Sequence, residues 1–301
     1  MNYRDNIDSM DRREAIKAVG VAGIALAMST VVASPDRAEP IPQSGGKAID
    51  PTIPPPPGSH PRHDMTGYGI PLVRQKIAML VYPGMTALDM VGPHQILSHM
   101  GNADIDLVWK THEPVTTDGD YALQPTMSFA ECTDDLTVLF VPGGLRGTAD
   151  IMADKEVLDF LVRKAAKARY VTSTCTGSLI LGAAGLLRGY KATSHWLTRD
   201  FLATLGAHPV KARVVEDRNR ITGAGVTASI DFALYLVARL RNDKMAKALQ
   251  LANEYDPQPL FQAGKPETAP LAVTQMEWAM NNPYRDAIRE AIAELKKTKN
   301  A

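Results

Sequence analysis

The chain has 301 residues, of which 45% are hydrophobic and 22% charged, a composition typical of one or two folded domains with a sizeable core. Its 33 basic and 33 acidic residues leave no net charge, which argues against a protein that holds nucleic acid through a basic surface. Its two cysteines are too few for a disulfide framework or a cysteine-based metal cluster, and the sequence contains no CxxC, HExxH or P-loop motif.

The amino terminus resembles a twin-arginine export signal. Arg12 and Arg13 are followed by Lys17 and by an uncharged run over residues 18–34 that is rich in Ala, Gly and Ser. This run is too short and too weakly apolar for a membrane span of about 20 strongly apolar residues. We therefore expect a signal over residues 1–33 and an exported, periplasmic protein; a cytosolic amphipathic helix is the alternative.

Residues 34–74 are expected to form a flexible linker. The segment holds ten of the 21 prolines of the chain, mixed with Gly and Ser, so it cannot bury enough apolar surface to offset chain entropy. His60 and His63 are spaced like metal ligands, but the composition favours a solvated linker over a metal site.

From residue 75 onward, apolar strands alternate with helices. The patterns predict strands at Ile77–Tyr82, Ile105–Lys110, Leu136–Val141 and Tyr170–Thr174, and helices at Thr86–Met100, Lys155–Ala168 and Gly177–Ala184. A hairpin with its turn at Asp217–Asn219 follows within Val210–Ile221, and then come helices at Val226–Arg241, Asn242–Tyr255 and Leu271–Lys297. Alternation of this kind indicates an α/β fold with a mostly parallel sheet and helices on both faces.

Three of the predicted strands end in residues suited to a binding site. Gly84 follows the first strand, Gly143 and Gly144 follow the Leu136–Val141 strand, and Cys175 follows Tyr170–Thr174. Ligands of such folds bind beyond the carboxyl ends of the strands, so we expect these residues to lie together.

Cys175 stands between a strand and a helix of small residues, an arrangement that fits a nucleophile elbow. The first N–H groups of the helix and its positive dipole end are expected to favour the thiolate over the thiol. A buried structural cysteine is the other interpretation of the same pattern.

Several segments, taken in order over residues 76–270, resemble the ThiJ/PfpI superfamily of class I glutamine-amidotransferase-like proteins. They are Cys175 in TSTCTGSLILGAAGLLRGYKATSHW, Asp89 in YPGMTALDMVGPHQIL, VPGG at Val141–Gly144, LVWKTHEPV, TGAGVTASIDFAL and LQLANEYDPQPLFQAGKPETAP. Within the superfamily these segments are similar to the isonitrile hydratase branch.

The resemblance implies a flavodoxin-like three-layer sandwich over residues 75–270, usually assembled as a homodimer. It implies that Cys175 is the nucleophile, that Asp89 approaches the sulfur as acid and base, and that Thr176 orients water or the substrate nitrogen. The carboxyl-terminal helix, residues 271–301, is expected to pack on this domain or on the dimer partner.

The resemblance also implies an oxyanion-type pocket made by the N–H groups of Gly143, Gly144 and Thr176. His195 lies beside the cysteine in relatives, where it either binds substrate or is a hydrogen-bonded core residue. The implied substrate is a small molecule; no metal, organic cofactor or nucleic acid partner is implied.

The implied reaction is the hydration of an isonitrile to an N-substituted formamide, which is carbon–oxygen lyase chemistry. Alternatives are a glyoxalase-like or amidase-like activity, a redox protein in which Cys175 is oxidised or pairs with Cys132, and a non-catalytic ligand-binding domain related to AraC-type regulators. The neutral segment after Arg241 ends in one amphipathic helix, which does not resemble the paired helix-turn-helix units of those regulators.

Overall fold

The computed structural model describes residues 73–300, with side chains described as far as residue 297. The predicted signal at residues 1–33 and nearly all of the predicted linker at 34–74 lie outside this range. Both therefore stay predictions.

The described chain is organised around seven strands of one sheet and four short accessory strands. The strands are β1 (Gln75–Leu80), β2 (Ala103–Trp109), β3 (Val115–Thr116), β4 (Ala122–Leu123), β5 (Met127–Ser128), β6 (Val138–Val141), β7 (Tyr170–Ser173), β8 (Lys191–Ala192), β9 (His208–Pro209), β10 (Val214–Asp217) and β11 (Arg220–Gly223). The main sheet has the order β10–β11–β7–β6–β1–β2–β5, whereas β3 pairs with β4 and β8 with β9. Its neighbouring strands run parallel except in the predicted β10–β11 hairpin.

Helices cover both faces of the sheet, which confirms the predicted flavodoxin-like sandwich. They are α1 (Ala87–Leu97), α2 (Leu145–Ala153), α3 (Lys155–Ala165), α4 (Gly177–Ala183), α5 (Phe201–Thr204), α6 (Ala228–Leu240), α7 (Asp243–Ala252) and α8 (Leu271–Asn300). Helix α1 packs against α6, which contacts α7, while α2 packs against α3, α4 and α8. The central strands β1 and β6 are buried between these layers, as their continuous apolar sequences predict.

The strand order reverses between β1 and β6. The chain passes from β1 to β2 on one side, and from β6 through β7 to β11 on the other. Crossovers in opposite directions leave the sheet on opposite faces, because each is right-handed, so the loops after β1 and β6 diverge and open a crevice. Backbone contact closes its base, since the Thr86 N–H donates to the Gly143 carbonyl at 2.8 Å.

Helix α2 has no counterpart among the predicted elements, because Gly147 interrupts its apolar pattern. Gly147 lies inside the helix, where a Cβ atom would stand 2.6 Å from the Pro83 carbonyl oxygen and 2.7 Å from that of Gly84. The glycine lets α2 approach the loop after β1. Because glycine has a low helix propensity, this tertiary contact is made at the expense of local helix stability.

The carboxyl-terminal helix α8 packs on its own domain. Ile288 and Ile292 are buried, and α2 is its main partner. Arg285 pairs with Asp200 through both guanidinium nitrogens, at 3.2 and 3.0 Å, and lies over the ring of Trp278. Within the described part of the chain, no helix is both long enough and apolar enough to cross a membrane.

The two cysteines are free and buried. Cys132 precedes β6 and Cys175 follows β7, so they lie at opposite ends of adjacent parallel strands. This placement excludes the disulfide that the redox interpretation allowed.

Candidate active site

Cys175 lies at a sharp turn between β7 and α4. Its backbone is left-handed, with φ of 53°, a conformation that L-residues with a side chain rarely adopt. Hydrogen bonds hold both ends of this residue. The Cys175 N–H donates to the Gly223 and Ala224 carbonyls at 3.1 and 2.9 Å. The Cys175 carbonyl accepts from the Ser178 and Ser194 hydroxyls at 3.1 and 3.0 Å. The predicted elbow is therefore present, and its strain is held by surrounding hydrogen bonds.

The Cys175 sulfur is almost completely enclosed, since the residue is 3% exposed. The backbone N–H groups of Thr176 and Val226 both point at it, and both favour the thiolate. The Asp89 carboxyl lies within hydrogen-bonding reach on another side. The sulfur thus faces two donors of positive partial charge and one acidic group.

Asp89 is brought to the sulfur by helix α1, where it occupies the third position. Pro93 lies one turn further along and has no N–H, so the Asp89 carbonyl lacks its usual helical partner. That carbonyl accepts a hydrogen bond from the Thr174 hydroxyl at 3.3 Å. The proline therefore frees a contact that joins α1 directly to the residue before Cys175.

The Asp89 side chain is fully buried. Its Oδ2 atom accepts a hydrogen bond from the Gly143 N–H at 3.1 Å, whereas Oδ1 has no hydrogen-bond partner within the described residues. A buried carboxyl oxygen with no protein partner is free to bind a proton or to contact substrate.

Glycines allow this close arrangement. A Cβ atom on Gly143 would lie 2.6 Å from the Thr176 nitrogen and 2.7 Å from both Asp89 Oδ2 and Cys175 Cβ. A Cβ on Gly144 would lie 2.5 Å from the Gly84 carbonyl oxygen. The loop after β6 can thus reach both the acid and the cysteine only with glycine at these two positions.

Thr176 takes part in a buried chain of hydroxyl groups. Its Oγ1 accepts from the Gly144 N–H at 2.9 Å and shares a hydrogen bond of 2.6 Å with Thr148 Oγ1 on α2. The Tyr82 hydroxyl lies 3.5 Å from Thr148 Oγ1 and donates to the Pro142 carbonyl at 2.9 Å. Thr176 is therefore held in one orientation by Gly144 and Thr148.

Each of the three N–H groups of the predicted oxyanion pocket already points at an acceptor within the protein. The Gly143 N–H donates to Asp89, the Gly144 N–H donates to the Thr176 hydroxyl, and the Thr176 N–H points at sulfur. All three lie in one cluster with Cys175. Their role as oxyanion donors stays a prediction, and it requires that substrate displace at least one of these contacts.

The pKa values of Cys175 and Asp89 differ from those expected from the position of Cys175 at a helix terminus. Burial raises the pKa of the Cys175 thiol well above its usual range, and the charge of Asp89 raises it further. Burial likewise raises the pKa of Asp89 to about 7, against hydrogen bonds from Cys175 and Gly143 that lower it. The expected thiolate is therefore wrong for the resting site: a seven-residue helix and two N–H donors do not offset complete burial beside a second acid.

A cleft of about 830 Å³ opens beside this cluster. Its lining includes residues 224–227, His195, Trp196 and Arg199, and residues of the irregular segment over 259–268. Val226 lines the cleft and donates its N–H to Cys175, so the cleft and the sulfur are neighbours joined by the backbone of this residue. Its volume is within the range of small-molecule sites.

His195 lies in the cleft wall, apart from the buried cluster. Its Nδ1 atom accepts from the Leu197 N–H at 3.3 Å, which assigns the ring proton to Nε2. Burial, with a smaller contribution from the Arg199 charge, lowers the pKa of His195 to about 4. Gly225 packs so closely on the ring that any side chain there would collide with it. His195 is thus a neutral hydrogen-bond donor rather than a proton acceptor.

Sequence reasoning missed Tyr82, Thr148 and Val226. Thr148 lies on the helix that was not predicted, and the Val226 contact depends on the main chain rather than on side-chain type. The aromatic residue directly before Pro83-Gly84 was the available signal for Tyr82. Among residues 73–297, no group of three or more His, Cys, Asp or Glu side chains is placed to hold a metal ion.

Comparison with known proteins agrees with this geometry. Residues 75–239 match the DJ-1/PfpI family. The chain is 50% identical over 198 residues to an isonitrile hydratase from Pseudomonas putida, covering 66% of this chain and 86% of that protein. The crystal structure of a ThiJ/PfpI family protein from Pseudomonas syringae superposes with a TM-score of 0.75 at 49% identity, covering 78% of this chain and 98% of that one.

A transcriptional regulator is also similar over part of its length. The HTH-type transcriptional regulator GbdR of Pseudomonas aeruginosa is 34% identical over 116 residues, which make up 35% of this chain and 31% of the regulator. The similarity therefore concerns a shared domain and not the whole regulator.

The raised pKa of Asp89 predicts a specific dependence of stability on pH. An unfolded aspartate ionises near pH 3.9 and the folded one near 7, so between these values the folded protein binds more protons and its stability falls as pH rises. Asp89→Asn removes this ionisation. We expect the variant to gain a few kcal/mol in unfolding free energy relative to wild type between pH 5 and pH 8, measured by denaturant unfolding.

Asp159→Asn on the surface of α3 is the matched control, because Asp159 is exposed and pairs only with Lys155 at 2.6 Å among the described residues. It should follow wild type closely across the same pH range. A difference between Asp89→Asn and wild type that stays constant from pH 5 to pH 8 would contradict the assignment.

Proposed function

The chain belongs to the DJ-1/PfpI family, and from this membership and the buried Cys175–Asp89 pair we propose that the protein hydrates isonitriles to N-substituted formamides. The observation that carries the proposal is the contact between a strained, enclosed cysteine and a carboxyl with a pKa near neutrality. The 50% identity to an isonitrile hydratase favours this reaction over others that a cysteine elbow supports.

The first step is a net addition of the Cys175 S–H across the isonitrile carbon. The pair holds a proton in the resting state, because each acid disfavours ionisation of the other. Asp89 passes this proton to the terminal carbon while sulfur forms a bond to the same carbon. The product is a covalent thioimidate, and the Thr176 and Val226 N–H groups stabilise the sulfur as it loses its proton.

The second step is hydrolysis of the thioimidate. Asp89, now ionised, accepts a proton from water as the water oxygen attacks the former isonitrile carbon, and it passes this proton to the nitrogen. The C–S bond then breaks as the new hydroxyl group gives its proton to the Cys175–Asp89 pair, which releases the formamide and restores the resting state. A carboxyl with a pKa near 7 can act both as proton donor and as proton acceptor, because neither of its protonation states is strongly favoured at neutral pH.

Thr176 and His195 contribute hydrogen bonds in this scheme. The Thr176 hydroxyl, held by Gly144 and Thr148, orients the attacking water or the substrate nitrogen. His195 offers its Nε2–H to a substrate bound in the cleft, a role that suits a histidine whose pKa is too low for protonation at neutral pH.

Redox sensing is a weaker proposal for Cys175. Oxidation to sulfenic or sulfinic acid requires an accessible thiolate, whereas this sulfur is enclosed and its pKa is raised by burial. The same enclosure suits a covalent reaction from which bulk water must be excluded until the thioimidate forms.

We expect cysteine-dependent formamide production from small alkyl and aromatic isonitriles. Cys175→Ala should abolish turnover, because no other nucleophile replaces the sulfur. Asp89→Asn should lower kcat by about 100-fold or more, the usual contribution of acid–base catalysis. Chromatography of the formamide, with purified protein lacking residues 1–33, measures both effects.

Cys132→Ala is the matched control, since Cys132 is the other buried cysteine and lies at the far end of the neighbouring strand. It should retain turnover. Formamide production by Cys175→Ala, or an Asp89→Asn variant with a normal rate, would refute the mechanism, and no product with any isonitrile would refute the reaction.

We also propose that the protein is a homodimer, as the resemblance implies. Exposed apolar residues along one side of α8 support this proposal: Val273, Met276, Met280 and Tyr284 are spaced by three or four positions and are 41%, 51%, 62% and 37% exposed. Such a stripe is typical of a helix face that contacts a partner.

We expect wild type to sediment as a dimer at micromolar concentration and the double variant Met276→Glu/Met280→Glu to sediment as a monomer, because two buried charges oppose apolar association. Glu290→Lys, on the same helix and outside the stripe, is the control and should remain dimeric. A wild-type monomer in sedimentation velocity, or a dimeric double variant, would count against this interface.

Export through the twin-arginine pathway remains a proposal, supported by Arg12, Arg13 and the uncharged run that follows them. We expect the full-length chain to appear in the periplasm, shortened by about the signal length, and an Arg12→Lys/Arg13→Lys variant to stay unprocessed in the cytoplasm. Cell fractionation with intact-mass measurement tests this. Arg37→Lys in the linker is the control, and export of the double variant at the wild-type level would overturn the proposal.

A further inference from the structure

The cleft beside Cys175 carries an excess of positive charge. Four basic side chains line it, namely Arg199, Lys211, Arg213 and Lys265, against one acidic side chain among the described lining residues, Glu267. A concave surface with this imbalance attracts anionic ligands.

Two of the four cations are neutralised by carboxylates. Lys211 forms an ion pair with Glu267, and Arg213 forms one with Asp231, which also accepts a hydrogen bond from the Tyr255 hydroxyl at 3.1 Å. These pairs fix the two cations in place. They are therefore less available to a ligand than an unpaired cation would be.

Arg199 and Lys265 are the unpaired cations of the cleft: neither forms an ion pair with a carboxylate of the described chain. Arg199 is half-buried, and its guanidinium makes no hydrogen bond to the described residues. It lies close enough to His195 for its charge to affect that ring, and both residues line the cleft together with Val226. A half-buried guanidinium without a partner is suited to bind a planar anion through two parallel hydrogen bonds.

The rest of the lining is apolar or aromatic near this cation. Trp196, Val226, Pro259 and Phe261 face the same cleft. Phe261 is 73% exposed, so it offers apolar surface that a ligand would cover. The cleft thus combines an anion-binding group with an apolar surface, and the cysteine lies next to it, in contact with the backbone of Val226.

We propose that the cleft selects ligands with a carboxylate on an apolar stem, bound by Arg199. Resting on the proposed function, this identifies the substrate class as isonitriles that carry a carboxylate, with the isonitrile group at Cys175 and the carboxylate at Arg199. The volume of about 830 Å³ exceeds what the two-atom reacting group needs, which leaves room for such a stem.

Binding of two product-like ligands tests this selectivity without any turnover. N-formyl-leucine carries a carboxylate, and N-formyl-leucinamide has the same stem and formamide without the charge. We expect wild type to bind the acid about tenfold more tightly than the amide by calorimetric titration, since a partly buried guanidinium–carboxylate contact contributes that much. Arg199→Gln should reduce this preference to about twofold, and Arg199→Lys should keep an intermediate preference.

Arg163→Gln is the matched control, because Arg163 is exposed on α3 and does not line the cleft. It should bind both ligands as wild type does, and circular dichroism checks that every variant is folded. Equal binding of acid and amide by wild type, no measurable binding of either, or an unchanged preference in a folded Arg199→Gln variant would each overturn the inference. Should Arg199→Gln fail to fold, Arg199→Lys provides the test. An Arg199→Lys variant that prefers the acid as strongly as wild type does would also overturn the inference.

Kinetics with the corresponding isonitriles separate this inference from the proposed function. Turnover of both isonitriles with equal kcat/KM would overturn carboxylate selection and leave hydration standing. A tenfold preference in binding with no turnover of either isonitrile would refute hydration and leave the carboxylate site standing.

Discussion

Contact between the Asp89 carboxyl and the Cys175 sulfur puts two acidic groups together in a space from which solvent is excluded. Neither group can ionise easily while the other is charged, so the pair keeps a proton that separate, solvated side chains would lose. The surrounding structure serves to maintain this contact. The left-handed backbone at Cys175, which costs about 1–3 kcal/mol, is held by two hydrogen bonds from its N–H and two to its carbonyl.

The acid and the cysteine come from opposite sides of the point where the strand order reverses. Asp89 belongs to the helix after β1, Gly143 to the loop after β6, and Cys175 to the turn after β7. These segments meet because Gly143 and Gly144 have no side chain to keep them apart, and because the Thr174 hydroxyl takes the carbonyl that Pro93 leaves free. A proline and a pair of glycines, which weaken regular structure, are here the condition for bringing the two reactive groups into contact.

The cleft contributes recognition of the substrate, whereas the Cys175–Asp89 pair contributes the chemistry. The reacting pair is buried and retains a proton in its resting state, whereas the neighbouring cleft is lined by cations, two of which have no carboxylate partner in the described chain. Chemistry at the sulfur and recognition of the rest of a substrate are therefore separated in space. The backbone of Val226 joins them, since its N–H reaches the sulfur while the residue lines the cleft.

The local sequence by itself determined the alternation of the principal strands and helices, the turn at Cys175 and the convergence of three strand ends. Apolar runs such as β1 and β6 and the small residues after Cys175 report directly on backbone conformation. Resemblance to a known family identified Asp89, which its own helical context would describe as a solvated acid. Helix α2, the partners of Thr176 and the wall at residues 259–268 were decided by tertiary packing, because each depends on segments distant in sequence. The protonation of the Cys175–Asp89 pair was also decided there: the helix terminus favours a thiolate, but complete burial beside a second acid outweighs it, and only the folded chain shows how deeply the two groups are enclosed.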